Sequence, residues 1–485
     1  MQNNSSFRKD TFFYGLATLG ERLVSFFILP LLTKTLSQDL YGVWTQMITT
    51  TGLLCGIVLL GFQTASVKFL SGKKDPAEAS STFHKMLSIT LLNSLVILIA
   101  IFIFKLPLSS LMFGNADFSN FVILFGFYLV GESLFELIVG FLRAQNKIAL
   151  LSLYYFLKNA VRITMLVAGL ILLKLDLAWA LVLIISLQFL FILTIYIVNI
   201  VKQAGFKFSA GGYSLKKIML FSLPLVPYAV VVWANNFIDR YFILHYFDIT
   251  QVSIYAVAFS LMAIGAVFYS IPSFVLYPRM AGLYNDGKIG EAGEILGKVV
   301  KLFLFLSIPF LFTLSVLSEP VTKLLSTPDY VSSWKVFFFL GCGILMFGMH
   351  QLSTYCFVCA GKTVLSFQIM LISFICNFFA NLFLIPVFGI LGAAIANFIS
   401  NSVLAVISII KAKKFINYSF PWESLLKTFF ATGVITVFLL AAKIFFDMNK
   451  TRILVFFVLL AMVIYLALDL LLKNSVLREL KRKSL

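Results

Sequence analysis

The chain has 485 residues, of which 61% are hydrophobic and only 12% charged, and its mean hydropathy is +1.00. A soluble protein of this size would keep polar residues on its surface, so this composition excludes a soluble protein. The formal net charge of +18 does not indicate nucleic-acid binding, because the basic residues lie in short connections and tails between apolar runs. The apolar runs are continuous and do not alternate, which excludes a transmembrane β-barrel.

Apolar runs of about 20 residues recur along the whole chain and predict membrane-spanning helices. The first run follows Arg8 and Lys9 and lacks an A-x-A-like cleavage site, so we predict a retained helix and not a removed signal peptide. The connections are short, and the prediction is an all-α polytopic membrane protein with about fourteen spans. These spans lie near 11–33, 41–66, 84–104, 119–141, 150–173, 177–201, 218–238, 250–273, 299–319, 333–357, 364–386, 388–410, 425–446 and 451–472.

Lysine and arginine concentrate on alternate connections, such as the pair Lys73 and Lys74 and the group Lys411, Lys413 and Lys414. The positive-inside rule therefore places both termini in the cytoplasm, which requires an even number of spans. The basic tail at 473–485 is then predicted to rest against anionic lipid headgroups.

Short segments recur at a nearly constant spacing. Tyr41 and Tyr255 lie 214 positions apart in similar segments, as do Lys74 and Lys288, while Lys147 and Lys362 lie 215 apart. Each match precedes the same helix of its half, which predicts two six-helix lobes in a parallel pseudo-twofold repeat. The predicted divisions are an N-lobe at 1–201, a cytoplasmic linker at 202–217, a C-lobe at 218–410, accessory helices at 411–472 and a basic tail at 473–485.

Four stretches carry a resemblance to a known family: ILPLLTKTLSQDLYGVW (28–44), FLRAQNKIAL (141–150), LPLVPYAVVVWANNFIDRYFI (223–243) and NLFLIPVFGILGAAIAN (381–397). They resemble Wzx-type O-antigen and polysaccharide repeat-unit flippases of the multidrug/oligosaccharidyl-lipid/polysaccharide exporter (MOP) superfamily, and the resemblance spans the chain. It implies a MATE-like fold and the movement of an undecaprenyl-pyrophosphate-linked oligosaccharide from the inner to the outer leaflet of the bacterial inner membrane. Alternating access coupled to an ion, and a polysaccharide polymerase and chain-length regulator as partners, are further implications.

Ionisable residues inside the predicted spans concentrate in the N-terminal lobe: Glu21, Arg22, Glu132, Glu136, Lys158 and Arg162. Arg22 lies about eleven residues into its span, roughly 17 Å deep. Glu132 and Glu136 are four residues apart, as are Lys158 and Arg162, so each pair shares a helix face. Counting from the loop at Asn146 predicts Glu136 level with Lys158, and Glu132 and Arg162 about one turn deeper.

Two interpretations of these charges stay open. Ions inside a membrane tend to pair, which favours a salt-bridge ladder between the fourth and fifth spans. Alternatively, Arg22, Lys158 and Arg162 receive the pyrophosphate of the substrate, since a guanidinium binds phosphate through two parallel hydrogen bonds. The acids Glu21, Glu132 and Glu136 then hold the bases in the substrate-free state or couple transport to an ion.

Polar residues in the seventh and eleventh spans, and near the outer end of the seventh, form a second set of candidates: Asn235, Asp239, Arg240, Asn377 and Asn381. Asp239 and Arg240 are either an ion pair at the membrane interface or part of a gate. The asparagines either form interhelical hydrogen bonds or recognise sugar hydroxyls.

No catalytic motif, metal-ligand spacing or phosphate-binding glycine loop occurs in the sequence, so we predict a transporter without cofactor or metal, and not an enzyme. A cation-coupled multidrug antiporter and a lipid II flippase remain as alternatives. A membrane-embedded polysaccharide polymerase would need a sizeable outer loop with catalytic residues, whereas the longest predicted outer loop, about 105–120, holds one acid and one base.

Overall fold

A computed structural model describes residues 27–71, 76–202, 213–472, 474 and 476. Within these ranges the chain forms helices joined by short turns, and no strand occurs there. The α-helices are α1 (27–35), α2 (Gln38–Leu59), α3 (Phe62–Leu70), α4 (Pro76–Ile103), α5 (Lys105–Phe113), α6 (Ser119–Ala144), α7 (Ile148–Val167), α8 (Leu177–Tyr196), α9 (Leu215–Ser222), α10 (Leu225–Phe237), α11 (Asp239–Tyr246), α12 (Ile249–Met262), α13 (Val267–Asn285), α14 (Ile289–Val316), α15 (Ser318–Leu325), α16 (Phe337–Cys359), α17 (Thr363–Phe388), α18 (Ile390–Ala412), α19 (Trp422–Phe445) and α20 (Thr451–Leu471).

Thirteen helical segments of the described residues are long and apolar enough to cross a membrane. Each overlaps one of the predicted spans from the second to the fourteenth, and residues 11–26 of the predicted first span lie outside the described ranges. The predicted all-α polytopic fold is therefore confirmed. The seventh span comprises α9, α10 and α11 as one segment, Leu215–Tyr246, and extends eight residues beyond its predicted end at 238.

The breaks within spans have local causes in the backbone. Leu60 and Gly61 have φ values of 50° and 75°, a left-handed conformation that ends α2 and lets the chain turn into α3. Pro224 caps the start of α10, while Pro272 and Pro309 lie inside α13 and α14. A proline removes one helical N–H donor, and in a membrane the surrounding helices satisfy the carbonyl that it leaves.

The chain divides into two compact units, residues 1–250 and 251–485. In the first unit α6 is the central helix and packs against α2, α3, α4 and α8, while α9 and α10 pack against α3 and α2. In the second unit α18 packs against α16 and α17, and α14 packs against α19. The six-helix lobes inferred from the repeat remain a prediction.

A cluster of buried aromatic side chains surrounds the middle of the first unit. Phe62, Phe83, Phe135 and Phe141 belong to this core, and each is at most 2% exposed. Since α6 supplies two of these four residues, its other polar side chains are held among well-packed neighbours. This packing fixes where the ionisable residues of α6 and α7 meet.

Candidate functional site

Glu132 and Lys158 form an ion pair within the apolar interior of the first unit. The Nζ atom of Lys158 on α7 lies 2.8 Å from Oε2 of Glu132 on α6, and each side chain is 14% exposed. Gln188 on α8 donates from Nε2 to the other carboxylate oxygen of Glu132 at 3.0 Å. The carboxylate therefore joins three helices and accepts hydrogen bonds from one charged and one neutral donor.

Glu136 lies one turn further along α6 and has different partners. Gln63 on α3 donates from Nε2 to its Oε2 at 2.5 Å, and the hydroxyl of Tyr155 on α7 lies 3.0 Å from both carboxylate oxygens. Lys158 therefore hydrogen-bonds to Glu132 and interacts only electrostatically with Glu136, the acid expected at its level. The side-chain amide of Gln63 and the hydroxyl of Tyr155 donate to the Glu136 carboxylate instead. Counting residues along α6 and α7 does not reveal these donors.

Arg162 lies one turn beyond Lys158 on the same face of α7. Its Nη2 donates to Oδ1 of Asn159 at 2.8 Å, and it interacts electrostatically with Glu132 and Tyr128. The Lys158 ammonium also lies 4.3 Å from the ring centre of Phe135, a cation–π contact. Both cations are thus held by neutral and anionic groups of the same unit.

A small cavity of about 20 Å³ borders this cluster. The polar side chains that line it are Tyr128, Glu132, Lys158, Arg162 and Gln188. A cavity of this volume holds about one water molecule. The two cations and Glu132 thus border one small cavity, together with Val161, Ile184 and Phe191, and this cavity is too small for a phosphate.

Sequence reasoning missed Gln63, Tyr155 and Gln188, of which only Gln188 is a single polar residue in a long apolar run. The structure shows that Gly131 on α6 makes room for Gln188. A Cβ atom at Gly131 would lie 2.9 Å from the side-chain amide of Gln188, so the absence of a side chain allows the amide to reach Glu132.

Asp239 and Arg240 are buried, with exposures of 2% and 6%. Arg240 donates from Nη1 to the hydroxyl of Thr49 on α2, and Trp233 donates from Nε1 to the carbonyl of Thr49 at 2.8 Å. Asp239 accepts from the backbone N–H of Arg240 at 2.9 Å. These contacts tie α10 and α11 to α2, and whether they act as a gate stays a prediction.

The asparagines of α17 lie in a packed helix–helix contact of the second unit. Asn377 and Asn381 are 1% and 0% exposed; Asn381 donates to Oδ1 of Asn377 at 2.8 Å, and Asn377 donates to the hydroxyl of Ser400 on α18 at 3.0 Å. Asn235 on α10 is likewise buried, at 1% exposure. Interhelical hydrogen bonding describes the α17 pair in this state, and sugar recognition by these residues stays a prediction.

Two of the candidates, Glu21 and Arg22, lie outside the described residues. Among the residues that the structure describes, no group of three or more His, Cys, Asp and Glu side chains could hold a metal ion.

Comparison with known families adds independent information. Residues 7–283, more than half of the chain, match the family described as polysaccharide biosynthesis protein, and residues 224–383 match the MatE family. The capsular polysaccharide biosynthesis protein CapF of Staphylococcus aureus is 23% identical over 399 residues, which cover 81% of this chain and 95% of CapF.

Solved structures share the fold at low sequence identity. The lipid II flippase MurJ in an inward closed conformation is 17% identical with a TM-score of 0.78, covering 96% of this chain and 99% of MurJ. An inward-facing multidrug resistance MATE family transporter of the MOP superfamily is 13% identical with a TM-score of 0.68, covering 83% of this chain and 94% of that transporter. A MOP superfamily transporter from Pyrococcus furiosus is 14% identical with a TM-score of 0.62, covering 84% and 95%.

The predicted resemblance to the MOP superfamily is confirmed by these matches. The chain is a multi-pass membrane protein that belongs to the polysaccharide biosynthesis protein family and has the fold of MOP superfamily transporters.

Proposed function

We propose that the protein is a flippase that moves an undecaprenyl-pyrophosphate-linked oligosaccharide from the inner to the outer leaflet of the bacterial inner membrane. The observation that carries the proposal is the cluster of Lys158 and Arg162 on one face of α7, inside the membrane-spanning part of a polysaccharide biosynthesis family member. Ionisable residues inside a membrane cost free energy, and they usually mark a substrate or ion pathway or pair with each other.

Lys158 and Arg162 suit a pyrophosphate because both are cations and the guanidinium donates in a planar fork. When Lys158 and Arg162 leave the acids, the carboxylates still have hydrogen-bond donors. Glu132 keeps the amide of Gln188, and Glu136 keeps its bonds to Gln63 and Tyr155. Glu132 therefore holds Lys158 in the substrate-free state, and the pyrophosphate replaces this carboxylate when substrate binds.

The volume of the cavity requires a conformational step. At about 20 Å³ the space beside Lys158 and Arg162 admits no pyrophosphate, so α7 has to separate from α6 and α8 before substrate binds. Alternating access provides such a step. We assign Arg22 as a third phosphate-binding residue, and Glu132 and Glu136 as the carboxylates available for ion coupling.

A bacterial strain that lacks the gene tests this function. With wild-type protein we expect the lipid-linked oligosaccharide in the outer leaflet. With Arg162→Ala at equal abundance we expect complete repeat units on the cytoplasmic side. Arg452→Ala is the matched control, because Arg452 lies exposed at the start of α20.

A cation-coupled multidrug antiporter is the second candidate, and the match of residues 224–383 to the MatE family favours it. It predicts normal delivery of the oligosaccharide to the outer leaflet in the deletion strain, together with altered sensitivity to cationic drugs. That combination of results would replace the flippase proposal.

A further inference from the structure

The two helices that carry Lys158 and Gln188 each end in a π-helical turn. Residues Ala168–Leu172 form such a turn directly after α7, and Ile197–Val201 form one directly after α8. Within the described part of the chain, π-helical turns occur at these two places only. π-helical turns are rare, and they frequently mark kinks and functional positions in helices. Both turns therefore adjoin the helices that have to separate before the cavity beside Lys158 admits a ligand.

The turn after α7 is packed tightly against the start of α8. A Cβ atom at Gly169 would lie 3.1 Å from the Cβ of Ala180, which is fully buried, so the two backbones approach closely here. The backbone N–H of Leu173 donates to the carbonyl of Ala168 at 2.9 Å, and that of Leu175 donates to the carbonyl of Gly169 at 2.8 Å. These contacts order the turn and fix this end of α7 against α8.

The rest of α7 has little apolar packing to hold it. Only 17% of an apolar stretch of the segment Ile148–Leu172 is buried, the lowest share among the thirteen spanning segments of the described residues, whereas the value for the segment that contains α6 is 67%. Polar bonds hold the middle of α7 instead, from Lys158 to Glu132 and from Tyr155 to Glu136. A segment with few buried apolar contacts opens at a lower free energy than its well-packed neighbours.

The second π-helical turn holds the predicted cytoplasmic end of α7. Asn199 in that turn is 2% exposed and donates from Nδ2 to the hydroxyl of Tyr154 on α7 at 2.8 Å. Three residues earlier, the hydroxyl of Tyr196 lies 2.8 Å from Nε2 of His84 on α4. Side chains three residues apart on an α-helix share a face, whereas the wider turn directs these two toward different helices. The end of α7 is thus tied to α8 through a hydrogen bond that can break and re-form.

We propose that α7 swings about the π-helical turn Ala168–Leu172 as a hinge, and that breaking the hydrogen bond between Tyr154 and Asn199 releases its other end. At 1.5 Å per residue, Lys158 lies about 15 Å and Tyr154 about 21 Å from the hinge. A swing of about 15° therefore moves Lys158 by about 4 Å and Tyr154 by about 5.5 Å. That motion separates Lys158 from Glu132 and enlarges the cavity beside them. The use of this motion for substrate entry rests on the proposed flippase function, whereas the hinge itself does not.

The test measures opening as the rate at which a buried cysteine reacts with N-ethylmaleimide. The full-length protein, with its five native cysteines replaced by serine, is purified in detergent and checked for an unchanged unfolding temperature. Ile184→Cys reports on the cavity, because Ile184 on α8 lines it and is 2% exposed. Ala180→Cys, one turn earlier on the same helix, reports on the hinge, because Ala180 contacts Gly169.

Asn199→Leu removes the hydrogen bond to Tyr154 and leaves both π-helical turns in place. Because one buried hydrogen bond is lost, we expect the labelling rate of Ile184→Cys to rise about fivefold. The labelling rate of Ala180→Cys should stay unchanged, since the hinge does not open.

Thr194→Val is the matched control on the same helix. The hydroxyl of Thr194 is exposed and donates to the carbonyl of Leu190, so its loss should change neither labelling rate. Deletion of Leu170 converts the first π-helical turn into an α-helical one and should slow the labelling of Ile184→Cys. Asn199→Leu keeps the test decisive should the deletion variant not fold.

The hinge is overturned if Asn199→Leu leaves the labelling rate of Ile184→Cys unchanged, or if it accelerates Ala180→Cys equally, since α7 would then loosen as a whole. Inorganic pyrophosphate, compared with sodium chloride at equal ionic strength, tests the link to the flippase function. A changed labelling rate of Ile184→Cys would tie the hinge to phosphate binding. An unchanged rate, with the effect of Asn199→Leu intact, would count against the proposed phosphate site and leave the hinge standing.

Discussion

Replacement of Lys158 by methionine tests how the first unit holds its charges. The substitution keeps much of the side-chain volume but leaves the Glu132 carboxylate, 14% exposed, without its cation at 2.8 Å. Removing one partner of a buried ion pair costs about 3–5 kcal/mol of folding free energy. Because Gln188 still donates to Glu132, we expect the lower end of that range, about 3 kcal/mol.

The double variant Glu132→Gln with Lys158→Met should recover most of that loss. It leaves no charge in the pair, and neutral replacement of a whole buried pair typically costs little. We expect its stability within about 1 kcal/mol of the wild type, which gives a coupling free energy of about 2 kcal/mol or more between the two positions.

The measurement is a double-mutant cycle by denaturant or thermal unfolding of the purified protein in detergent. The pair of Glu319 and Lys323 is the matched control, since its atoms lie 2.9 Å apart but its side chains are 42% and 34% exposed. Its coupling should stay below about 1 kcal/mol. A double variant as unstable as Lys158→Met alone would refute the reasoning, because the loss would then not arise from an unpaired carboxylate.

Three further predictions concern positions around this network and one ion pair on α15 of the second unit. Gly131→Ala should lower the free energy of unfolding by about 1 kcal/mol, because the new Cβ meets only the movable amide of Gln188. Gly140→Ala should lower it by about 3 kcal/mol, because its Cβ lies 2.9 Å from the backbone of α3. Unfolding curves of both variants check this contrast. Gln188→Leu should weaken stability by about 1–3 kcal/mol through loss of the hydrogen bond to a buried carboxylate, measured in the same way. The hydrogen bond from Lys323 lowers the pKa of Glu319 below its ordinary value of 4.5. Glu319 therefore stabilises the fold above pH 4.5 and loses this contribution as the pH falls through the lowered pKa. Glu319→Gln should flatten the decline of the unfolding temperature below about pH 4.5.

The spans could be predicted from the sequence because membrane insertion imposes a length and an apolar composition on each helix. Hydropathy therefore located the second to fourteenth spans, although the eighth and ninth differ from their predicted bounds by ten residues or more at one end. It ended the seventh span at residue 238, whereas the helical segment continues through α11 to Tyr246, because the charged Asp239 and Arg240 interrupt the apolar run.

The charged residues of α6 and α7 could be identified from sequence, but their partners could not. Charge at buried positions identified Glu132, Glu136, Lys158 and Arg162. The partners Gln63 and Gln188 come from α3 and α8, which approach α6 only through tertiary packing. A single glutamine in an apolar run gives no indication of which neighbouring helix it faces.

The most direct test of the proposed function measures transport by purified protein in liposomes. Undecaprenyl-pyrophosphate-linked oligosaccharide is incorporated into both leaflets, and its accessibility to an external sugar-modifying enzyme is followed over time for the wild type and the neutral double variant Glu132→Gln with Lys158→Met. The account predicts that wild-type protein makes the shielded fraction accessible, while the double variant folds but transports poorly, because a phosphate-binding cation is missing. Transport by the double variant at the wild-type rate would contradict the account and would leave the Glu132–Lys158 pair a purely structural role.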